Sequence, residues 1–215
     1  LANWINNIPM NKKEQFLKIF RAVKKKYGKS KKRLAGENWQ HDWQTLIVTI
    51  YSAQSRDETT IPVMENAFKQ LPTLQSWAKA PISKIQKLTK SINYYKTKSK
   101  NSKATAKMLI ENFNGKVPDT IESLITLPGV GRKTANLVLT EIHGKHGITV
   151  DTHVHRLSNV LGIVKTKTPH ETELALQKIV PKRYWNEINR IFVLWGKEVP
   201  GRDKKRLLAK LTTQK

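Results

Sequence analysis

Residues 121–156 read IESLITLPGVGRKTANLVLTEIHGKHGITVDTHVHR, and the centre of that stretch, LPGVGRKTAN from Leu127 to Asn136, decides the fold. Pro128 suits a chain leaving one helix, and Gly129 and Gly131 can take backbone angles closed to other residues. From Arg132 the pattern reads as a second helix, with Ala135, Leu137, Val138 and Leu139 supplying apolar surface. Helix, glycine turn and helix make a hairpin that leaves backbone N–H groups exposed at a helix N-terminus. Such a terminus seats an anion, and a nucleic-acid phosphate is a natural occupant. Arg132 and Lys133 place two cations at the same mouth, where the helix dipole disfavours them. Positive charge set against the dipole points to a ligand that brings the negative charge.

Charge across the chain agrees. Forty Lys+Arg against sixteen Asp+Glu give a net +24, which favours a polyanionic partner, although a generally lysine-rich surface accounts for part of the excess. The 215 residues suffice for one large or two small domains with proper cores. No apolar run is long enough to span a bilayer, and no positively flanked targeting leader is visible. An intracellular setting without membrane contact is therefore expected. With no cysteine, the sequence holds no disulfide, thiolate zinc site or cysteine-bound iron–sulfur cluster. His153 and His155 stand two apart, which turns them to different faces of a helix, so a paired metal site is not expected.

Taken in order, the chain reads as all-α. EQFLKIFRAVKKKYG, within residues 1–35, puts Phe16, Ile19, Phe20 and Val23 on one helix face and ends near Gly28 in a basic run. DWQTLIVTIYSAQS, residues 42–55, is apolar on most faces, with Asp42 as the expected N-cap. Helical patterns follow over Val63 to Leu71, Ser76 to Thr89 and Lys98 to Phe113, punctuated by Pro62, Pro72, Pro81 and Pro118. After VDTHVHR come two more, Thr172 to Val180 and Trp185 to Trp195, then a short basic tail. No segment alternates as a strand would.

LPGVGRKTAN followed by VDTH (Val150 to His153) resembles the helix-hairpin-helix DNA glycosylases, and in particular the endonuclease III group. The resemblance runs from the first long helix to about Gly196. It implies two helical lobes with a DNA-binding groove between them: residues 36–146 as a continuous lobe, and 1–35 plus 147–215 as the other. It makes Lys133 the nucleophile and Asp151, eighteen residues later, its catalytic partner. DNA contacts fall on Leu127, Gly129, Val130, Gly131, Arg132, Thr134 and His153. The segment SAQSRD resembles the family's SAQ-x-x-D. There Gln54 corresponds to the glutamine that fills the gap left by the extruded nucleotide, while Ser52 supports it and Asp57 caps a helix near the active site. Tyr94 stands where relatives carry a wedging leucine, and tyrosine can also stack on a base. Lys98 and Lys100 are expected on phosphates. In most relatives the tail opens a four-cysteine iron–sulfur loop. Here Pro200 occupies the first of those places and the other three cysteines are absent as well. No cofactor is expected, and the tail should pack on the first helix through apolar contacts alone.

The chemistry suits these residue types. A base inside a duplex must be extruded before its glycosidic bond can be reached. An aspartate can stabilise positive charge developing on the sugar, and a lysine amine can attack it and hold it as a Schiff base, easing β-elimination. That amine must be neutral to attack, whereas a free lysine has a pKa of about 10.4; Arg132, the helix end and partial burial would each favour the neutral form, and Asp151 the charged one. Taken singly, Lys133 and Asp151 would also fit a surface ion pair with Asp151 capping the next helix. Together with the hairpin and SAQ-x-x-D they point to a bifunctional DNA glycosylase and abasic-site lyase of base-excision repair. Its expected substrate is an oxidised pyrimidine in double-stranded DNA, or the abasic site itself. The chain is expected to be a monomer in the cytoplasm, with the nucleoid, or in the nucleus. The alternatives are a glycosylase for another lesion (uracil, mismatched thymine, alkylated purine or 8-oxoguanine) and a non-catalytic DNA-binding hairpin module.

Overall fold

Every residue from Trp43 to Tyr51 is buried, in a helix that spans Asp42–Ser52. A helix hidden on all faces serves as an axis for others, and that is its part here. The computed structural model describes residues 11–212. Within them run α1 (Lys12–Tyr27), α2 (Asp42–Ser52), α3 (Asp57–Gln70), α4 (Leu74–Lys79), α5 (Ile82–Thr89) and α6 (Tyr95–Phe113). These are followed by α7 (Ile121–Leu124), α8 (Arg132–Glu141), α9 (Thr152–Val160), α10 (Pro169–Ile179), α11 (Trp185–Glu198) and α12 (Lys204–Thr212). No strand occurs among the described residues, so the class is all-α. The part of the expected first helix before Asn11 lies outside the described residues. The chain divides into two compact units: residues 33–145 form one, and the described residues up to 32 together with those from 146 onward form the other.

In the unit of residues 33–145, α2 packs against α3, α6 and α8. Trp43, Phe68 and Trp77 meet edge-on or tilted, with centroids 5.1 to 6.5 Å apart. Beside them the Tyr51 hydroxyl bonds Ser99 and Ser102, each at 3.1 Å, so a polar seam between α2 and α6 is satisfied inside the core. His41, rather than the expected Asp42, takes the N-cap of α2; Asp42 is its first helical residue, where a carboxylate still suits the dipole. The helix expected over Ser76 to Thr89 is two helices, α4 and α5. Pro81 lacks an N–H and drives Ala80 out of the helical region to ψ 142°. Pro62, expected as punctuation, lies inside α3, which begins at Asp57.

In the other unit, Phe16, Ile19, Phe20 and Val23 are buried on one face of α1, which packs on α10, α11 and α12. Leu207 and Leu208 carry the apolar part of the tail's attachment. The expectation of apolar contacts alone is corrected by a set of polar ones. The Arg156 guanidinium, from α9, donates to the carbonyls of Gly196 at 2.9 Å, Val199 at 3.2 Å and Gly201. Lys26 donates to the Lys210 carbonyl, and Lys210 pairs with Glu198 at 2.8 Å. Carbonyls at the end of α11 and in the turn after it have lost their helical donors, and a five-donor fork on a neighbouring helix meets several at once. Arg156→Ala should therefore cost about 1.5–3 kcal/mol, the range for hydrogen bonds from a charged donor. It should also speed amide exchange across residues 199–212. Unchanged stability and exchange would show that the Arg156 bonds contribute nothing to holding the tail.

Candidate nucleic-acid interface and active site

The hairpin is built by one glycine. Gly129 sits at φ +80°, and a Cβ there would meet Asn101 at 3.0 Å and Ile50 at 3.2 Å. Both the backbone angle and the close approach of α2 and α6 exclude a side chain. Gly131 differs from the sequence reading. Its φ is −93°, open to any residue, and no atom lies within 4 Å of a Cβ placed there. It is the N-cap of α8 and faces outward. The Thr105 hydroxyl donates to the Pro128 carbonyl at 2.9 Å, which ties the turn to α6. Leu127 and Val130 are buried, and the Val130 N–H is spent on the Leu127 carbonyl at 3.1 Å. These two residues set the turn's shape and offer no side chain outward. The first helical bond of α8 runs from the Ala135 N–H to the Gly131 carbonyl, so the N–H groups of Arg132, Lys133 and Thr134 stand ahead of the ladder.

Arg132 and Lys133 are exposed there, and Thr134 is half-buried. The partial burial of Lys133 expected from the sequence is not found in the protein alone. In the other unit, Asp151 is the N-cap of α9, its Oδ1 accepting from the Val154 N–H at 2.8 Å. That bond fixes the carboxylate and leaves its second oxygen, Oδ2, for other work. His153 is half-buried against the backbone of Gly196. Its neighbour His155 turns to the Thr172 hydroxyl at 2.7 Å.

At the far end of α2 the chain turns sharply. Gln54 is exposed at φ +53°, and Asn93 Nδ2 donates to its carbonyl at 2.8 Å. Tyr94, 68 % exposed, stands at φ +58° at the head of α6. These two side chains and Gly129 line one open pocket of about 440 Å³. Ser52 donates back to the Thr49 carbonyl at 3.0 Å in the last turn of α2. Asp57 opens α3, and its carboxylate accepts from the Ala35 N–H at 3.2 Å; Arg56 holds the N-cap position itself.

Lys98 corrects a sequence expectation. It is only 6 % exposed, and its ammonium donates to the carbonyls of Tyr51 at 2.9 Å and Ala53 at 2.6 Å and to Ser55 Oγ at 3.1 Å. All three protons are engaged inside the protein, so Lys98 is not a phosphate contact, whereas Lys100 is exposed. Burial pushes the Lys98 pKa down to about 8. One signal in the sequence could have found it. Lys98, Ser102, Thr105 and Leu109 repeat at helical spacing and form the buried stripe of α6.

The HhH-GPD model, for base excision DNA repair proteins, matches residues 47–182. Endonuclease III of Thermotoga maritima is 43% identical over 157 residues, covering 73% of this chain and 74% of its own. That of Synechocystis is 36% identical over 190 residues, covering 88% and 85%. Among solved structures, a trapped endonuclease III–DNA covalent intermediate superposes with a TM-score of 0.81 at 30% identity, covering 88% of each chain. The chain belongs to the HhH-GPD superfamily. Within it the chain is endonuclease III-like, with one departure. An iron–sulfur cluster does not fit the residues present. The chain has no cysteine, Arg156 occupies the carbonyls of the segment around Pro200, and no group of three or more metal-ligating side chains occurs among the described residues.

Two predictions test this geometry. Gly129→Ala should cost about 1–3 kcal/mol from backbone strain alone, with packing added. Gly131→Ser, at an open N-cap, should stay within about 0.5 kcal/mol of the parent. Chemical denaturation separates the two, and equal losses would refute the distinction. The second concerns Lys98. The folded protein releases this proton at about 8, the unfolded chain at about 10.4. Unfolding therefore takes up a proton between those values, and this group's contribution to stability rises with pH across that window. A side-chain NMR titration of Lys98 with a midpoint among the exposed lysines would contradict it.

Proposed function

We propose that this chain is a bifunctional DNA glycosylase and abasic-site lyase that removes oxidised pyrimidines without an iron–sulfur cluster. The observation that carries the reading is Lys133, an exposed amine in the first turn of α8, ahead of the helical hydrogen-bond ladder, in a chain similar to endonuclease III over most of its length. Phosphates of the DNA backbone sit at the N-terminus of α8, where the N–H groups and Arg132 supply positive charge. The damaged nucleotide leaves the stack, with Gln54 and Tyr94 entering the gap. Once its ammonium has passed a proton to water, the Lys133 amine bonds to C1′ as the bond from C1′ to the base breaks, the base leaving with the electron pair, and Asp151 stabilises the positive charge on the sugar in passing. Opening of the sugar ring, with a proton passing from that nitrogen to O4′, gives the Schiff base. Loss of a proton from C2′ then expels the 3′ phosphate oxygen and cuts the strand. DNA binding discharges the cost of gathering Arg132 and Lys133 at a positive helix end. The reading makes the enzyme a monomer acting wherever the genome lies. Among the described residues no helix is long and apolar enough to cross a membrane.

Lys133→Gln should abolish strand cleavage at an abasic site while retaining duplex binding. Asp151→Asn should slow removal of an oxidised pyrimidine by about 10²–10³-fold and slow cleavage of a preformed abasic site less, since there the base has already gone. An Asp151→Asn enzyme as fast as the parent on the damaged base would leave the residue as a helix cap. Strand cleavage by Lys133→Gln at the parent rate would refute Lys133 as the nucleophile and place that role on another residue.

A further inference from the structure

Four residues other than glycine have positive φ among those described: Asn38, Gln54, Tyr94 and Asn114. Asparagine tolerates the left-handed region because its short side chain can bond locally, and Asn114 closes α6 in that way. Glutamine and tyrosine gain no such relief, and each costs about 1–2 kcal/mol there. Both line the same pocket, each at the end of a helix: Gln54 just past α2, Tyr94 just before α6. Strain of this kind persists only where neighbours over-determine it.

The neighbours are on one segment. Asn93 Nδ2 holds the Gln54 carbonyl, and Lys98 holds the carbonyls of Tyr51 and Ala53 together with the Ser55 hydroxyl. The last turn of α2 contains no basic residue of its own. Its C-terminal carbonyls, at the negative end of the dipole, receive their cation from α6. Gln54 lies between Ala53 and Ser55, two of the three residues whose oxygens Lys98 grips. Tyr94 lies between Asn93 and Lys98 in the chain, so whatever fixes Gln54 is anchored on the segment that carries Tyr94.

We propose that Asn93 and Lys98 are positioning residues for strand separation: they tie the end of α2 to the head of α6, so that Gln54 and Tyr94 meet the duplex as one preset unit. This rests on the reading above, in which Gln54 and Tyr94 fill the gap left by the extruded nucleotide. Neither strut residue touches the DNA in this account. Their effect passes through the backbone of Gln54, and it is largest where a gap exists to be filled.

The test compares affinities for a duplex carrying an abasic-site analogue and for the same duplex undamaged. Asn93 is exposed, so Asn93→Ala removes one hydrogen bond with little risk to folding. Lys98→Met keeps the buried stem and removes the ammonium. Asn93→Ala should reduce the preference for the abasic duplex by about threefold to tenfold and Lys98→Met by about tenfold or more, with affinity for undamaged duplex unchanged. Placed on Gln54→Ala, Asn93→Ala should have no further effect, because the residue it positions has gone. A general loss of structure would instead lower both affinities and add to Gln54→Ala. Should Lys98→Met fail to fold, Asn93→Ala and its double variant decide the matter. If Gln54→Ala and Tyr94→Ala lower the preference while Asn93→Ala leaves it intact, the strut is refuted and the wedge reading stands. If none of these variants changes the preference, the wedge reading falls and the strut with it.

Discussion

The ammonium of Lys98, buried against the end of α2, is the interaction on which the Gln54, Tyr94 and Gly129 face of residues 33–145 depends. A lysine hidden from water is costly unless every proton finds an acceptor. Here the acceptors are carbonyls that the end of α2 leaves without helical partners, plus one hydroxyl. Two liabilities, a buried charge and a bare helix end, offset each other in part, and the pKa drawn down to about 8 records the burial that the acceptors do not offset. The geometry that results fixes where α2 stops and where the chain reverses into Gln54. The hairpin is set by the same packing from the other side, since Gly129 lies against Ile50 of α2 and Asn101 of α6.

Lys98 and Lys133 divide the work of lysine by burial. The first is enclosed, fully bonded and has its pKa drawn down to about 8; its role is mechanical. The second is exposed at the N-terminus of α8, ahead of the helical ladder, where the helix dipole favours an anion. A similar division holds for the two carboxylates of interest. Asp57 is committed to the Ala35 N–H, and Asp151 is held by Val154 through one oxygen alone.

Much of this was legible from residue types. Helix, Pro-Gly turn and helix were plain at 121–141 because glycine and proline punctuate strongly, and the buried face of α1 followed from its spacing. Ambiguity entered where one residue type serves opposite ends. Lysine signals a solvated surface, so residue type alone sets Lys98 on a phosphate although its stripe partners Ser102, Thr105 and Leu109 are all buried. Gly131 was credited with a backbone need that belongs to Gly129 alone, since φ is not written in the letter G. Pro81 breaks a helix while Pro62 sits inside one, and only the packing around each decides. The grip of Arg156 on the carbonyls near Pro200 joins segments forty residues apart in sequence, beyond any local pattern. The roles of Lys133 and Asp151 came from resemblance, and the geometry of each end makes those roles chemically accessible.

The account stands or falls on which amine joins the sugar. Borohydride reduction during turnover of an abasic duplex fixes the amine–sugar bond, and mass spectrometry of the digested adduct locates it among the lysines of the chain. The prediction is a single modified residue, Lys133. Modification at Lys98 or at any other lysine in its place, or no adduct under conditions where strands are cut, would contradict the account.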